Sequence, residues 1–280
     1  MQRSELTYDL LNNLPLWRNM ATITLNEMCG VKLMNRIDTK YVLSEGEVLD
    51  MLQRAAECGY RVQVIDGIRA CRYNTLYYDT AERDMYIVHH NQQLTRQKVR
   101  TRLYVETNQA FLEIKNKTNR GRTKKRRIAI SHDELTGFRH NSEVAAFYTT
   151  FARYAIEELS PALATRFTRI TLVNRELTER LTIDLDLCYE DVRTRRTASI
   201  EQMAIVELKQ DGNALSTMKR ILRDMHIAPL KVSKYCLGTT LTVEHIKKNR
   251  FKLKLRDISK RLGANNGFVE QDKNVTICTF

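Results

Sequence analysis

The run Lys98-Val-Arg-Thr-Arg-Leu-Tyr104 (KVRTRLY) decides how this chain is read. Residues two apart on a strand share a face. Lys98, Arg100 and Arg102 therefore fall on one side, and Val99 and Leu103 on the other. The same alternation recurs in both directions along the chain. Glu113, Lys115 and Lys117 oppose Leu112 and Ile114; Lys125 pairs with Arg127; Arg36, Asp38 and Lys40 share a side. Arg180, Thr182, Asp184 and Asp186 oppose Leu181, Ile183, Leu185 and Leu187, and Glu207 with Lys209 opposes Val206 and Leu208. Charged faces usually look outward, but their signs then mix. Here the three central strands are heavily cationic. Like charges ~7 Å apart repel by about 2.4 kcal/mol at an effective dielectric near 20, and by less than ~1 kcal/mol in open water. Inward-facing rows would thus leave a strain that a multivalent anion relieves, with arginine clamping oxyanions in its plane and lysine supplying point charge.

Outward from that run, the periodicity predicts strands at 36–44, 61–65, 72–79, 98–106, 111–117, 124–131, 165–174, 180–189 and 204–209, with 61–65 paired to 72–79. Turns at Thr107–Asn108 and 119–122 make the middle three an antiparallel meander. Helices are expected at 45–58, capped by Ser44 and Gly59, and at 81–91, 142–158, 214–226, 233–241 and 245–262. Leu10, Leu11, Leu14 and Trp17 suggest a helical lead-in that Pro15 ends or kinks, and the last 18 residues read as a tail. The fold expected is α+β: a closed antiparallel β-barrel with helices packed outside. Its parts are a lead-in over 1–30, a barrel domain over 31–244, and a basic helix and tail over 245–280.

The 280 residues carry 46 Lys and Arg against 33 Asp and Glu, a formal charge of +13. Such an excess admits nucleic acid, an anionic membrane or a polyanionic ligand. Cations concentrated on strands, without a stacking aromatic platform, argue against nucleic acid. No apolar run approaches the roughly 18–20 residues of a membrane span, and the N-terminus lacks a secretory pattern. Cys29, Cys58, Cys71, Cys188, Cys236 and Cys278 are scattered, which reads as reduced thiols in a cytoplasmic chain.

The ordered motifs RIDTKY (36–41), LYYDT (76–80), KVRTRLY (98–104), LEIKNK (112–117), TKKRRI (123–128), VELK (206–209) and KVSKY (231–235) resemble the catalytic domain of vacuolar transporter chaperone (VTC) proteins. That domain is a branch of the triphosphate tunnel metalloenzymes. The resemblance implies a tunnel-shaped barrel that transfers the ATP γ-phosphoryl group to a growing inorganic polyphosphate chain, with Mn²⁺ or Mg²⁺. By position it implies phosphate-binding roles for Lys40, Arg100, Arg102, Lys115, Lys125, Arg127, Arg169 and Arg180. Glu207 takes the metal-binding role, and Lys231, Ser233 and Lys234 the element that closes one end and orients nucleotide or acceptor. The superfamily's ExExK opening is here Arg36-x-Asp38-x-Lys40, with fewer carboxylates for a metal. Without a membrane segment, a stand-alone form is expected. A triphosphatase of the same fold and a non-catalytic polyanion-binding barrel are the alternatives.

Glu207 can also be read as a structural partner of a lysine. Asp184 and Asp186 read as salt-bridge partners of Arg180 and its neighbours, Phe167 and Tyr73, Tyr77 and Tyr78 as packing residues, and His89 and His90 as structural or rim residues. The helix at 245–262 is amphipathic. It either docks on its own barrel or meets a membrane surface or partner.

Overall fold

What packs on each side of KVRTRLY follows from the sheet that contains it. The computed structural model describes residues 6–28, 36–212, 215–263 and 268–271. Its strands are β1 (Thr22–Thr24), β2 (Arg36–Ser44), β3 (Arg61–Val64), β4 (Ala70–Asp79), β5 (Arg96–Tyr104), β6 (Gln109–Lys117), β7 (Thr123–Ile130), β8 (Ser160–Val173), β9 (Glu179–Asp191), β10 (Thr197–Ile200), β11 (Met203–Asp211) and β12 (Phe268–Gln271). The helices are α1 (Tyr8–Asn12), α2 (Leu25–Met28), α3 (Glu45–Glu57), α4 (Asp84–His90), α5 (Ser142–Phe151), α6 (Thr217–Asp224), α7 (Lys234–Thr242) and α8 (Asn249–Arg261).

The main path of the sheet runs β2-β11-β9-β8-β4-β5-β6-β7, antiparallel throughout. The sheet curls strongly into a half-barrel with α3, α5 and α6 packed outside. It is not the closed barrel expected, because β2 and β7 end the path and form no ladder with each other among the described residues. The free edge of β2 is met by irregular chain instead of a strand: Leu230 N donates to the Lys40 carbonyl at 2.8 Å, and Lys40 Nζ to the Val232 carbonyl at 3.0 Å. β7 stays exposed along most of its length.

On the outer face, the apolar positions predicted by alternation pack under helices. Leu181, Ile183, Leu185, Val206 and Leu208 join Val48, Met51, Leu52 and Ala55 of α3 and Met218 and Leu222 of α6 in one core. Val99, Leu112 and Ile114 pack with Val144 and Tyr148 of α5 in another. A capping box at Ser44 and Glu47 starts α3, and Gly59, at φ +75°, follows its C-cap in the left-handed conformation.

Along the inner face the sequence changes character. Val42, Ile205, Met203, Leu187, Tyr189, Leu163 and Tyr77 surround Tyr235, Cys236 and Leu237 of α7, which fills this end as a plug. Asp79 pins it: its carboxylate accepts Met85 N at 2.9 Å and Tyr86 N at 3.0 Å, and accepts the Tyr235 hydroxyl. One carboxylate thus caps α4 and ties it to α7.

Several expectations are corrected. β3 does not pair with β4, whose two edges are already taken by β5 and β8; it pairs with β8 and, in parallel, with β1. Leu187 does not share the outer face with Leu185. A bulge near Arg166–Thr168 and Asp186 (φ +49°) reverses the parity of β9, turning Leu187 and Tyr189 inward. α5 ends at Phe151 because Asn116 Nδ2 takes the Phe151 carbonyl at 2.8 Å and Gln97 Oε1 accepts Arg153 N at 3.1 Å; only a short turn follows at Ile156–Glu158. Pro15 opens a tight turn after α1, and Leu10 lies exposed instead of joining Leu11, Leu14 and Trp17. The basic helix begins at Asn249, four residues late, and its Ile258 and Leu262 are buried against the barrel with Phe251 and Leu255 beside them. Within the expected tail, residues 268–271 form β12 on β10; 264–267 and 272–280, with Cys29 and Cys278, lie outside the described residues.

Candidate anion-binding lumen

Beyond the plug, the same inward positions carry charge. β5 contributes Lys98, Arg100 and Arg102. Arg100 Nε donates to Glu113 Oε2 at 2.7 Å, and its Nη1 to the Tyr77 hydroxyl at 3.3 Å. Lys125 on β7 meets the other oxygen of Glu113. Burial works against charge on Glu113, but Arg100, Arg102 and Lys125 hold this fully buried carboxyl far below the usual carboxylate range. Arg102 is buried too; its Nε donates to Thr75 Oγ1 at 2.9 Å, and among the described residues no carboxylate pairs with it.

Tyr73 and Phe167 stack in parallel, with centroids 5.2 Å apart, as an aromatic wall of the lumen. Arg102, Arg169 and Lys234 all approach the Phe167 ring within 5.6 Å. Asp184 is clamped by Arg169, whose Nε and Nη2 donate at 2.5 and 2.8 Å, and by Lys234. Its salt-bridge role is as expected, but the partners are Arg169 and Lys234, not Arg180; Asp186 points outside at the bulge and is exposed. Burial lowers the Lys234 ammonium to about 8, although Asp184 supports its charge.

Across the lumen, Glu207 pairs with Lys209 at 2.8 Å. Burial favours its neutral form, yet Lys40, Lys209 and Lys115 hold its carboxyl well below the ordinary value. Lys115 itself is driven well below its ordinary value, first by Arg100 and then by burial. Lys115 on β6 and Glu207 on β11 thus act on each other's charge from two strands of the half-barrel. Arg180 is lowered by burial and by Arg36 and Arg169, and its Nε is buried with no hydrogen-bond partner among the described residues.

The structure therefore brings Lys40, Arg100, Arg102, Lys115, Arg169, Arg180, Lys234 and Glu207 around one lumen. Lys125 reaches it from the open edge. Arg127 stays exposed on that edge, 4.5 Å over the Phe111 ring. Lys231 is exposed at the rim, and Ser233 is the N-cap of α7, accepting from Cys236 N at 3.3 Å and from Lys98 Nζ at 2.7 Å. The positive end of α7 thus faces the lumen. Lys98, Lys209 and Tyr77 join the site without having been assigned to it. The alternation had flagged both lysines; nothing in the local pattern marks Tyr77, a packing residue by sequence. Phe167 and Tyr73 are packing residues, as expected, and the same rings also meet the lumen cations.

No cluster of three His, Cys, Asp or Glu side chains that could hold a metal occurs among the described residues. Glu207 is a lone carboxylate amid lysines, which fits a hard cation that arrives already coordinated by phosphate oxygens, not a protein-built cage.

A family model described as VTC domain matches residues 35–243. No curated protein matches the chain. Among solved structures, a candidate adenylate cyclase from Vibrio parahaemolyticus aligns at 11% identity over 74% of this chain and 99% of its own, TM-score 0.44. One from Bacillus halodurans aligns at 12% over 71% and 96%, TM-score 0.47. A Hippeastrum protein described as a candidate adenylyl cyclase with a dominant triphosphatase activity aligns at 15% over 75% and 98%, TM-score 0.47.

Proposed function

The chain belongs to the VTC domain family, and from that premise we propose that it is an ATP-dependent polyphosphate polymerase, working through the unit 31–244 flanked by 1–30 and 245–280. The family supports phosphoryl transfer or triphosphate hydrolysis in general. The observation that carries the narrower reading is the surplus of lumen cations over carboxylates. Glu113, Asp184 and Glu207 are each already ion-paired to other cations, and among the described residues Arg102, Lys115 and Arg180 form no ion pair with a carboxylate. More positive charge is gathered there than the protein itself compensates, which suits a chain of phosphates.

In this reading Arg100, Arg102, Lys115, Lys125 and Arg127 hold the ATP triphosphate, with Arg169 and Arg180 at the transferring end and Lys40 beside Glu207. Glu207 would hold Mn²⁺ or Mg²⁺ brought with the phosphates, a cation that would neutralise oxygen charge. Lys231, Ser233 and Lys234 position the acceptor. A terminal oxygen of the acceptor chain attacks the γ-phosphorus, one P–O bond forms, the β–γ bridging bond breaks, and ADP leaves. The acceptor is already anionic, so no strong base is required, and charge neutralisation with in-line placement carries the step.

The unsealed side between β2 and β7 favours one competing reading, in which water reaches the γ-phosphate and the protein hydrolyses triphosphate. Incubating the full chain with ATP and Mn²⁺ and resolving the products by gel separates the two. Long phosphate chains are the expected outcome; free phosphate alone would establish the triphosphatase, and no turnover the binding barrel.

A further inference from the structure

The cations of β5 do not stop at the lumen. Arg96 lies one inward position beyond Lys98 and sits directly opposite Lys117 of β6 in the ladder. Three other segments converge on this rim. Lys98 Nζ reaches Ser233, which draws the 231–233 segment over β5. α8 is seated beside α4: Phe251 lies 5.9 Å from Tyr86 and 5.6 Å from His90, and Arg250 N meets His90 Nε2 at 3.4 Å. Lys254, one turn on from Arg250, holds its ammonium 5.7 Å over the Phe251 ring, at the contact of α8 with α4.

Arg96 and Lys231 act on both lysines. Burial, then Arg96 and Lys231, lowers Lys117; burial lowers Lys254, Cys236 works against it, and Lys231 and Arg96 lower it further. Among the described residues none of the four is ion-paired to a carboxylate. His89 on α4 is pushed down to about 2, by burial first and then by Lys98, Arg96, Lys254 and Lys40. Its Nδ1 is buried without a hydrogen-bond partner among the described residues. Uncompensated charge from four separate elements, beside a buried imidazole, is a site arranged for something anionic.

We propose that Arg96, Lys117, Lys231 and Lys254 form a second anion site at the rim, outside the lumen, which holds the distal stretch of a polyphosphate chain whose end lies at Glu207 and Arg100. This gives the basic helix α8 a function on its own barrel, through Lys254. It rests on the polyphosphate reading above for the identity of the ligand. A triphosphate confined to the lumen does not reach the rim.

The test is equilibrium binding to the full chain, without nucleotide or metal, of two probes: long-chain polyphosphate and tripolyphosphate. The variant is Lys117→Ala/Lys254→Ala. Its affinity for the long chain should fall by about tenfold or more, as for two lost charge-assisted contacts, with a shallower salt dependence, while tripolyphosphate binding stays within about twofold. Equal losses for both probes, no loss for either, or no preference of the wild type for the long chain overturns the rim site. Polymer formation from ATP is measured separately. A wild type that makes polymer while the variant binds long chains normally loses the rim and keeps the function, and a chain that binds long polyphosphate through the rim without making polymer does the reverse.

Discussion

Arg100 both faces the lumen and neutralises a fully buried carboxylate, so its removal has two separable consequences. Arg100→Ala should lower polymer synthesis from ATP at least ~100-fold, the scale of a lost transition-state charge contact. It also leaves Glu113 ion-paired to Lys125 only, with Arg102 still nearby, and breaking a buried pair this way costs about 3–5 kcal/mol. Adding Glu113→Gln should restore most of the melting temperature and none of the synthesis. Recovery of synthesis by the double variant would reduce Arg100 to a structural partner. At Glu207 the alternatives part in the same manner. Glu207→Gln should raise the Mn²⁺ concentration required for half-maximal activity by about tenfold or more if the carboxylate holds metal, and leave it unmoved if Glu207 only partners Lys209. At this scale the sequence was readable wherever strand parity holds without interruption: Lys98 to Arg102, Lys115, Lys125, Glu207 and Lys209 all fall as the two-residue period requires. It was not readable at Asp186 or Leu187. A single bulge reverses every side chain after it, and no residue type announces one.

The plug helix α7 is the element on which the lumen depends. Its N-terminus carries Ser233 and Lys234 into the site, and its packing allows no spare volume at Gly238, where an added Cβ would lie 2.5 Å from Tyr189 Cδ1 and 2.7 Å from Leu163 Cδ2. Gly238→Ala must push the helix off the β8–β9 wall, at about 1–3 kcal/mol of overpacking. Because the displacement carries Lys234 away from Asp184, ATP affinity should fall further than in a variant of similar stability loss in the outer core, such as Leu52→Ala. Matching ATP affinities in the two variants would show that α7 does not position the site. Long periodic elements were legible in the sequence: the meander, β8, β9, α3 and α7 all lie close to where hydropathy puts them. The four-residue strands β10 and β12 were not, since so short a segment carries almost no period. Nor was the pairing of β3, which is decided by which edges of β4 remain free.

The half-barrel as a whole is an electrostatically loaded cavity, and its openness was the least legible feature. Whether β2 and β7 meet depends on edges about eighty residues apart in the chain, and on the 230–233 segment that takes the β2 edge first. The loading itself makes a prediction about protons. Burial lowers the Lys125 ammonium to about 8, against the pull of Glu113, and Lys234 stands at about 8 for the reason given above. Burial tends to raise the Tyr77 phenol, but Arg100, Arg102, Lys98 and Lys234 outweigh it and bring it down to about 8. Near that pH each group is partly deprotonated in the empty protein. An incoming polyanion favours the ammonium over the amine and the neutral phenol over the phenolate, so every one of these shifts has the same sign. ATP binding at about pH 8 should therefore take up protons, between about half a proton and about one and a half if the three groups dominate. The affinity should weaken as the pH rises through 8, because the unliganded lysines are by then uncharged and must be reprotonated on binding. Calorimetric titrations in buffers of different ionisation enthalpy measure the uptake directly, and Lys234→Met should diminish it. Net proton release, or no exchange at all, would mean that these side chains do not face the phosphates, and the lumen would lose its claim to be the site.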